Sequence, residues 1–292
     1  MARTTGGLPP CACDIVTVAE TAALIGAGSF AAGFLGALTG LGGGIVIVPL
    51  LTVVFGVDVH YAVGVSLVSV VATSSGAAAA YVKEGYTNLR VGMLLEIATT
   101  TGALLGAYVA LWIAPNTIAI LFACVLLFST TQSARPHPQG APEDSDALAT
   151  RLRLASTYPT PNGPKRYGVR HVPLGFVLMF IAGVLSALLG VGSGSIKVLA
   201  MDRAMRLPFK VSTTTSNFMI GVTAAASSGV YFARGYVDPV LAFPVMLGVL
   251  AGATLGARVL TVAAPRTLRW VFTAAMVALA VEMFYKGVRG TF

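Results

Sequence analysis

Gly33-Phe-Leu-Gly-Ala-Leu-Thr-Gly-Leu-Gly-Gly-Gly44 returns 150 residues further on as Gly183-Val-Leu-Ser-Ala-Leu-Leu-Gly-Val-Gly-Ser-Gly194. The same offset matches the chain to itself without a gap from Phe30 to about Phe122. Tyr81, Gly85 and Tyr86 meet Tyr231, Gly235 and Tyr236. Gly102-Ala-Leu-Leu-Gly-Ala107 meets Gly252-Ala-Thr-Leu-Gly-Ala257, and Pro115 meets Pro265. Apolar composition alone gives scattered Ala, Leu and Val matches, not a register of Gly, Pro and Tyr. The two halves therefore read as copies. Each copy closes its first apolar run on a cluster of glycines: Gly40, Gly42, Gly43 and Gly44 in one, Gly190, Gly192 and Gly194 in the other. Glycine inside a helix costs about 1 kcal/mol relative to alanine, so both helices are expected to open there.

The runs around these breaks set the solvent. Apolar types make up 56% of the 292 residues and charged types only 10%, against about 25% charged in soluble domains. Mean hydropathy is +0.83. Several runs exceed the roughly 18 residues that read as a membrane helix. The chain is expected to be an all-α, multi-pass protein of the cell membrane. A β-barrel is excluded, because its strands alternate apolar and polar residues. The net charge of +8 does not point to nucleic acid, since the basic residues sit in short loops between apolar runs, where the positive-inside rule puts them. The expected divisions are an N-terminal tail 1–14, a first membrane repeat 15–133, a linker 134–171 and a second repeat 172–292. The linker gathers prolines, Glu143, Asp144, Asp146 and basic residues, and reads as a solvated, flexible cytoplasmic segment. No cleaved signal is read at the N-terminus.

In hydrocarbon, backbone groups freed at a break must find partners, so irregular backbone is tolerated only inside protein or beside a watery cavity. The segment after the second break, Ser195–Met201, is too short to span. Each break is thus a re-entrant hairpin or one broken span. Hairpins leave an odd number of crossings per repeat and make the repeats inverted. Broken spans leave four and make them parallel. The positive-inside rule satisfies both, and both put 134–171 in the cytoplasm. Length favours the hairpin and hence inversion: 15–57 as one helix would reach about 64 Å, twice the roughly 30 Å hydrocarbon core.

At these paired breaks the chain resembles the TauE/SafE family of sulfite-exporter-like permeases. The resemblance rests on Gly33 to Gly44 with Pro49 beyond, on Ala62-Val-Gly-Val-Ser66, on Tyr81 to Tyr86, on Gly102 to Ala107, and on the echo Gly183 to Gly194. It covers about 20–130 and 175–285. It departs where Leu199 stands for Pro49 and Thr214 for Gly64, and in the long polar linker. The resemblance implies a secondary transporter of small sulfur oxyanions or organosulfonates such as sulfite, thiosulfate or sulfoacetate.

The residues themselves describe an anion site. Where a helix restarts after Gly44 or Gly194, unpaired N–H groups and the positive dipole end face the break, and glycines let a ligand come close. The competing structural role is close helix packing at small residues. Lys197, three residues past Gly194, is expensive inside a membrane and is a candidate cationic contact, against snorkelling or a structural ion pair. Ser66, Ser195, Thr215, Ser216 and Asn217 add neutral donors, with interhelical bonding as their alternative role. Glu96 is a candidate carrier of a coupling proton, or a partner of Lys197 or Arg258. Asp202, Arg203, Arg206 and Lys210 read as a solvated surface cluster.

Neither break is a nucleotide motif: Gly40-Leu-Gly-Gly-Gly-Ile45 lacks the last glycine of G-x-G-x-x-G, and no G-K-[ST] follows the second. No metal site, cofactor or catalytic residue is expected. Cys11, Cys13 and Cys124 cannot supply a four-ligand set; Cys11 and Cys13 sit in the tail, and Cys124 reads as a small apolar filler in a helix. His60, His137 and His171 fall in loops or at helix ends, so Ser193 and Ser195 lack a mid-span base and an intramembrane protease is not expected. The alternatives to sulfur-anion transport are transport of another small anion, such as a carboxylate, and a membrane assembly subunit, which would not need a buried lysine beside a helix break.

Overall fold

The computed structural model of the chain describes residues 12–39, 44–83, 85–133, 144–160, 163–192, 194–260 and 265–290. These residues form α1 (Ala12–Thr39), α2 (Gly44–Pro49) running on as a π-helical turn Leu50–Val54, α3 (Val59–Lys83), α4 (Leu89–Ala110) and α5 (Pro115–Ser133). After a small cap of α6 (Ala147–Arg151), β1 (Ser156–Thr160) and β2 (Gly163–Tyr167) come α7 (Val172–Leu189), α8 (Gly194–Leu199) with a π-helical turn Ala200–Ala204, α9 (Phe209–Ala233), α10 (Pro239–Leu260) and α11 (Pro265–Arg289). Pro115, Pro239 and Pro265 open their helices, the position where a missing N–H costs nothing. Asn88 caps α4 by accepting from Val91 N–H at 3.1 Å.

The distribution of side chains is that of a bundle in lipid. Met93, Ile97, Leu104 and Tyr108 of α4 face outward, as do Leu174, Val177 and Ile181 of α7 and Val240, Phe243 and Leu247 of α10. The hydroxyls of Ser66, Ser69, Thr99, Ser186, Ser212, Thr215, Ser216, Thr223 and Ser227 are buried. Apolar residues outside and polar residues inside suit a hydrocarbon solvent, because lipid tails do not drive apolar side chains inward. By length and composition α4 and α7 qualify to cross a membrane. Small residues bring helices together. A Cβ at Gly33 of α1 would run into the backbone of Val249 on α10, and one at Gly183 of α7 into that of Thr99 on α4. Gly252 likewise lies on the Phe30 carbonyl and Gly102 on that of Phe180. α3 packs on α9 and α5 on α11.

After its break, the second half turns back. Gly190 adopts the left-handed region (φ 67°) and closes α7, its N–H donating to the Ser186 carbonyl at 2.9 Å. α8 and its π turn then return to the start of α7, where Arg170 N–H donates to the Met205 carbonyl at 3.2 Å. In the first half, Leu50 comes back beside Gly28, with 3.2 Å between its side chain and the place a Cβ would occupy. α3 and α9 run antiparallel: Gly64 lies on the Tyr236 carbonyl and Gly221 beside the Ser74 hydroxyl.

The linker differs from its expectation. Residues 144–160 and 163–171 are folded rather than flexible. β1 and β2 pair antiparallel with Ser156 opposite Tyr167. Ala149, Leu154, Tyr167 and Val169 are buried with Val91, Val172, Met205 and Val211 of the bundle. A few apolar residues suffice to dock a segment whose Asp144, Arg151, Arg153, Lys165 and Arg166 are exposed. Asn88 fixes this cap, its side-chain amide donating to the Leu154 carbonyl at 2.9 Å and to the Tyr167 hydroxyl at 2.8 Å. Burial pushes the Tyr167 phenol above its usual value and keeps it neutral. Two further expectations are corrected. Cys124, expected as a small apolar filler, is exposed on α5, on the outward face with Leu127 and Phe128. Asp202, on the π turn, is buried, while Arg203, Arg206 and Lys210 are exposed.

Candidate substrate site

Of the first break, Gly44 is described, while Gly40, Gly42 and Gly43 lie outside the described residues. The side chains of Ser195, Arg258 and Cys13 do too, as do Cys11 and His137. What is described brings the two breaks together. Ser66 Oγ, fully buried on α3, lies 2.7 Å from the Gly190 carbonyl and 3.2 Å from that of Gly44. Ser216 on α9 donates to the Gly194 carbonyl at 3.3 Å. These hydroxyls lie inside α3 and α9, not at their first turns, and spend their hydrogens on the break carbonyls. Gly192 (φ 73°) is packed between Val70 and Ile220, and a Cβ at Gly190 would press on Val63. Both α3 and α9 thus line the second break.

Lys197 follows on α8. It is 0% exposed, and its Nζ donates to Thr223 Oγ1 on α9 at 2.7 Å. Thr223 Oγ1 in turn lies 2.8 Å from Glu96 Oε1 on α4. Thr100, one turn along α4, donates to the same carboxylate oxygen at 2.9 Å. Glu96 Oε2 is buried and has no hydrogen-bond partner. Three helices therefore converge on one ammonium, one carboxylate and two hydroxyls. A buried ion pair persists only when such bonds supplement it.

The remaining candidates are dispersed. Thr215 is buried but turned to the start of α4, accepting from Asn88 N–H at 3.1 Å. Asn217 is half-buried on α9. His60 sits in the first turn of α3 between Asp58 Oδ1 (3.3 Å from Nδ1) and the Ala110 carbonyl (3.1 Å from Nε2), and stacks on Tyr236. Sequence reasoning passed over Thr223. The signal for it was its register, since Thr73 stands at the matching place of the first half. It also passed over Ser186, whose hydroxyl is buried without a partner, as is that of Ser212. Among the described residues no His/Cys/Asp/Glu group could hold a metal ion.

Comparison with known proteins bears on what this arrangement serves. Residues 25–283 match the family described as sulfite exporter TauE/SafE. The chain is 27% identical over 268 residues to the probable membrane transporter protein YunE of Bacillus subtilis (strain 168), covering 88% of this chain and 95% of that one. It is 26% identical over 230 residues to the probable membrane transporter protein YdhB of the same organism, covering 77% and 83%. A probable membrane transporter protein of Xylella fastidiosa (strain 9a5c) is 24% identical over 279 residues, 93% of this chain and 97% of that one. No solved structure matches the chain. The match spans both glycine breaks, Lys197, Thr223 and Glu96, and the chain belongs to the TauE/SafE family of membrane transporters.

Proposed function

We propose that the chain carries a small sulfur-containing anion, such as sulfite, thiosulfate or sulfoacetate, across the cell membrane through a site where the two glycine-broken hairpins meet. The observation that carries this reading is Lys197, a fully buried cation three residues past a helix break. An intramembrane ionisable residue is costly and marks a pathway by default. The serines support it. Ser66 and Ser216 donate to the carbonyls of Gly44, Gly190 and Gly194, and in this reading the N–H groups at the starts of α2 and α8 are left to the ligand. Such a site offers many donors and little fixed charge, which suits an oxyanion and not a cation. Glu96 is the coupling-proton carrier in this reading, because its carboxylate has one oxygen bare of donors.

The same reading takes the halves as inverted repeats of a multi-pass protein, with the site between them near the bilayer midplane. Three observations support this reading, the first two the duplication and the third the inversion. Helix boundaries recur at one offset: Gly44 and Gly194, Val59 and Phe209, Leu89 and Pro239, Pro115 and Pro265. The close approaches Gly33–Val249 and Gly183–Thr99 are the same contact with the halves exchanged. α3 and α9, matching helices, run in opposite senses. Uptake of labelled sulfite, thiosulfate and sulfoacetate into proteoliposomes, with and without a proton gradient, tests the proposal. Saturable uptake of at least one of them above protein-free vesicles is expected. Uptake of a carboxylate alone would overturn the sulfur-anion assignment.

A further inference from the structure

A threonine hydroxyl has one hydrogen and two lone pairs. While Lys197 donates to Thr223 Oγ1, the Thr223 hydrogen goes to Glu96 Oε1 at 2.8 Å or to the Met219 carbonyl at 2.9 Å. Thr100 adds its own hydrogen to Oε1. The hydrogen bonds of Thr223 and Thr100 are thus both on Oε1, Thr99 stands near the carboxyl, and Oε2 is left without a hydrogen bond in a buried place. A bare buried carboxylate oxygen is destabilising, and a proton placed on Oε2 disturbs none of the bonds at Oε1. α9 presents Thr223 to Glu96, and α7 packs on α4 through Phe180, Gly183 and Val184, against Thr99, Gly102 and Gly106. Among the described residues, the charged group that acts on Glu96 is Lys197 of α8.

We propose that the substrate anion and a proton enter this cluster together, one proton per anion, with Thr223 as the positioning residue that makes each binding depend on the other. The inference rests on the anion-transport reading and deepens it. In the described state Lys197 and Glu96 offset one another through Thr223, and the cluster has no net charge to offer an anion. The incoming anion takes over Lys197 as its counter-ion. Glu96 then accepts a proton from the aqueous phase on Oε2 and becomes neutral, so a monovalent anion leaves the buried cluster without net charge and a divalent one leaves a single charge in place of two. An unpaired buried charge is strongly disfavoured, so neither ligand enters alone. On the far side both steps reverse: the O–H bond on Oε2 breaks, the proton leaves to water with the anion, and Lys197 returns to Thr223. Transport is then electroneutral for a monovalent anion and carries one negative charge per divalent one.

The test is calorimetric titration of the full-length purified protein with thiosulfate and with sulfoacetate, in two buffers of different ionisation enthalpy. Neither ligand binds a proton itself near neutral pH, so buffer-dependent heat counts protons taken up by the protein. Uptake close to one proton per anion is expected in the parent and in Thr223→Ser. Glu96→Gln is expected to bind with no uptake, and Thr223→Val to bind with most of the uptake lost. Anion binding by the parent without proton uptake overturns the inference and leaves the anion reading standing. Full uptake in Glu96→Gln, or in Thr223→Val, also overturns it. Binding of neither anion by folded parent overturns the anion reading, and the inference falls with it. Should Glu96→Gln fail to fold, the parent and the Thr223 pair still decide the matter.

Discussion

Lys197 and Glu96 are joined through a single hydroxyl, Thr223 Oγ1, which lies 2.7 Å from the ammonium and 2.8 Å from the carboxylate. The arrangement spans the two halves and occurs once, for Ile47 stands where the first half would repeat Lys197 and Met246 where the second would repeat Glu96. Read as repeats, the two halves thereby share one charge pair that neither repeats.

Glu96→Gln is expected to keep substrate binding and lose the dependence of transport on a proton gradient, because the amide imitates the protonated acid. Initial uptake rates at several imposed gradients check this. Equal gradient dependence in mutant and parent removes Glu96 from the coupling role, and loss of folded protein assigns the carboxylate to structure.

Gly183→Val is expected to destabilise the protein by about 1–3 kcal/mol, the usual range for overpacking, because its Cβ would meet the backbone of Thr99 rather than a movable side chain. Gly229→Ala on α9 is the control. Nothing lies within 4 Å of its would-be Cβ, so the change is expected to be neutral or slightly stabilising. Thermal unfolding in detergent reads both.

Asn88→Asp is expected to release the 144–171 cap while leaving α4 capped. The aspartate still accepts from Val91 N–H, but it has no amide hydrogens for Leu154 and Tyr167. Limited proteolysis at Arg151, Arg153, Lys165 and Arg166 is expected to speed up severalfold. An unchanged digestion pattern would show that the buried Leu154 and Tyr167 hold the cap without Asn88.

The fold was largely legible because glycine, proline and tyrosine carry positional information that Ala, Leu and Val do not. Gly44 and Gly194 open α2 and α8, and Pro115 and Pro265 open α5 and α11. The cap was not legible. Its docking rests on Ala149, Leu154, Tyr167 and Val169, too few to register against the surrounding prolines and charges. At the site, Lys197 and Glu96 stood out because charges are rare in apolar runs. Thr223 did not, because a threonine in a membrane helix commonly satisfies its own hydrogen by bonding one turn back, as Thr99 does to the Leu95 carbonyl at 3.3 Å. Its second role depends on where α4 and α8 cross α9, which no local pattern reveals.

Inverted repeats put the loop 55–58 and the C-terminus on one side and the cap on the other. Lys286 on α11 donates to the Val53 carbonyl at 3.1 Å, tying the end of the chain to the end of the first hairpin. A phosphatase fused to the C-terminus, active only outside the cytoplasm, is expected to be active, and one inserted after Asp144 silent. A silent C-terminal fusion with a stable product would favour parallel repeats.

The central claim is that Lys197 serves the anion. Lys197→Met keeps the length of the side chain and removes its charge. Calorimetric titration of the purified variant with thiosulfate is expected to show affinity about tenfold or more below that of the parent, since a hydrogen bond to a charged group contributes about 1.5–3 kcal/mol. Affinity equal to the parent's, in folded protein, would contradict the account and leave Lys197 as no more than the structural counter-ion of Glu96.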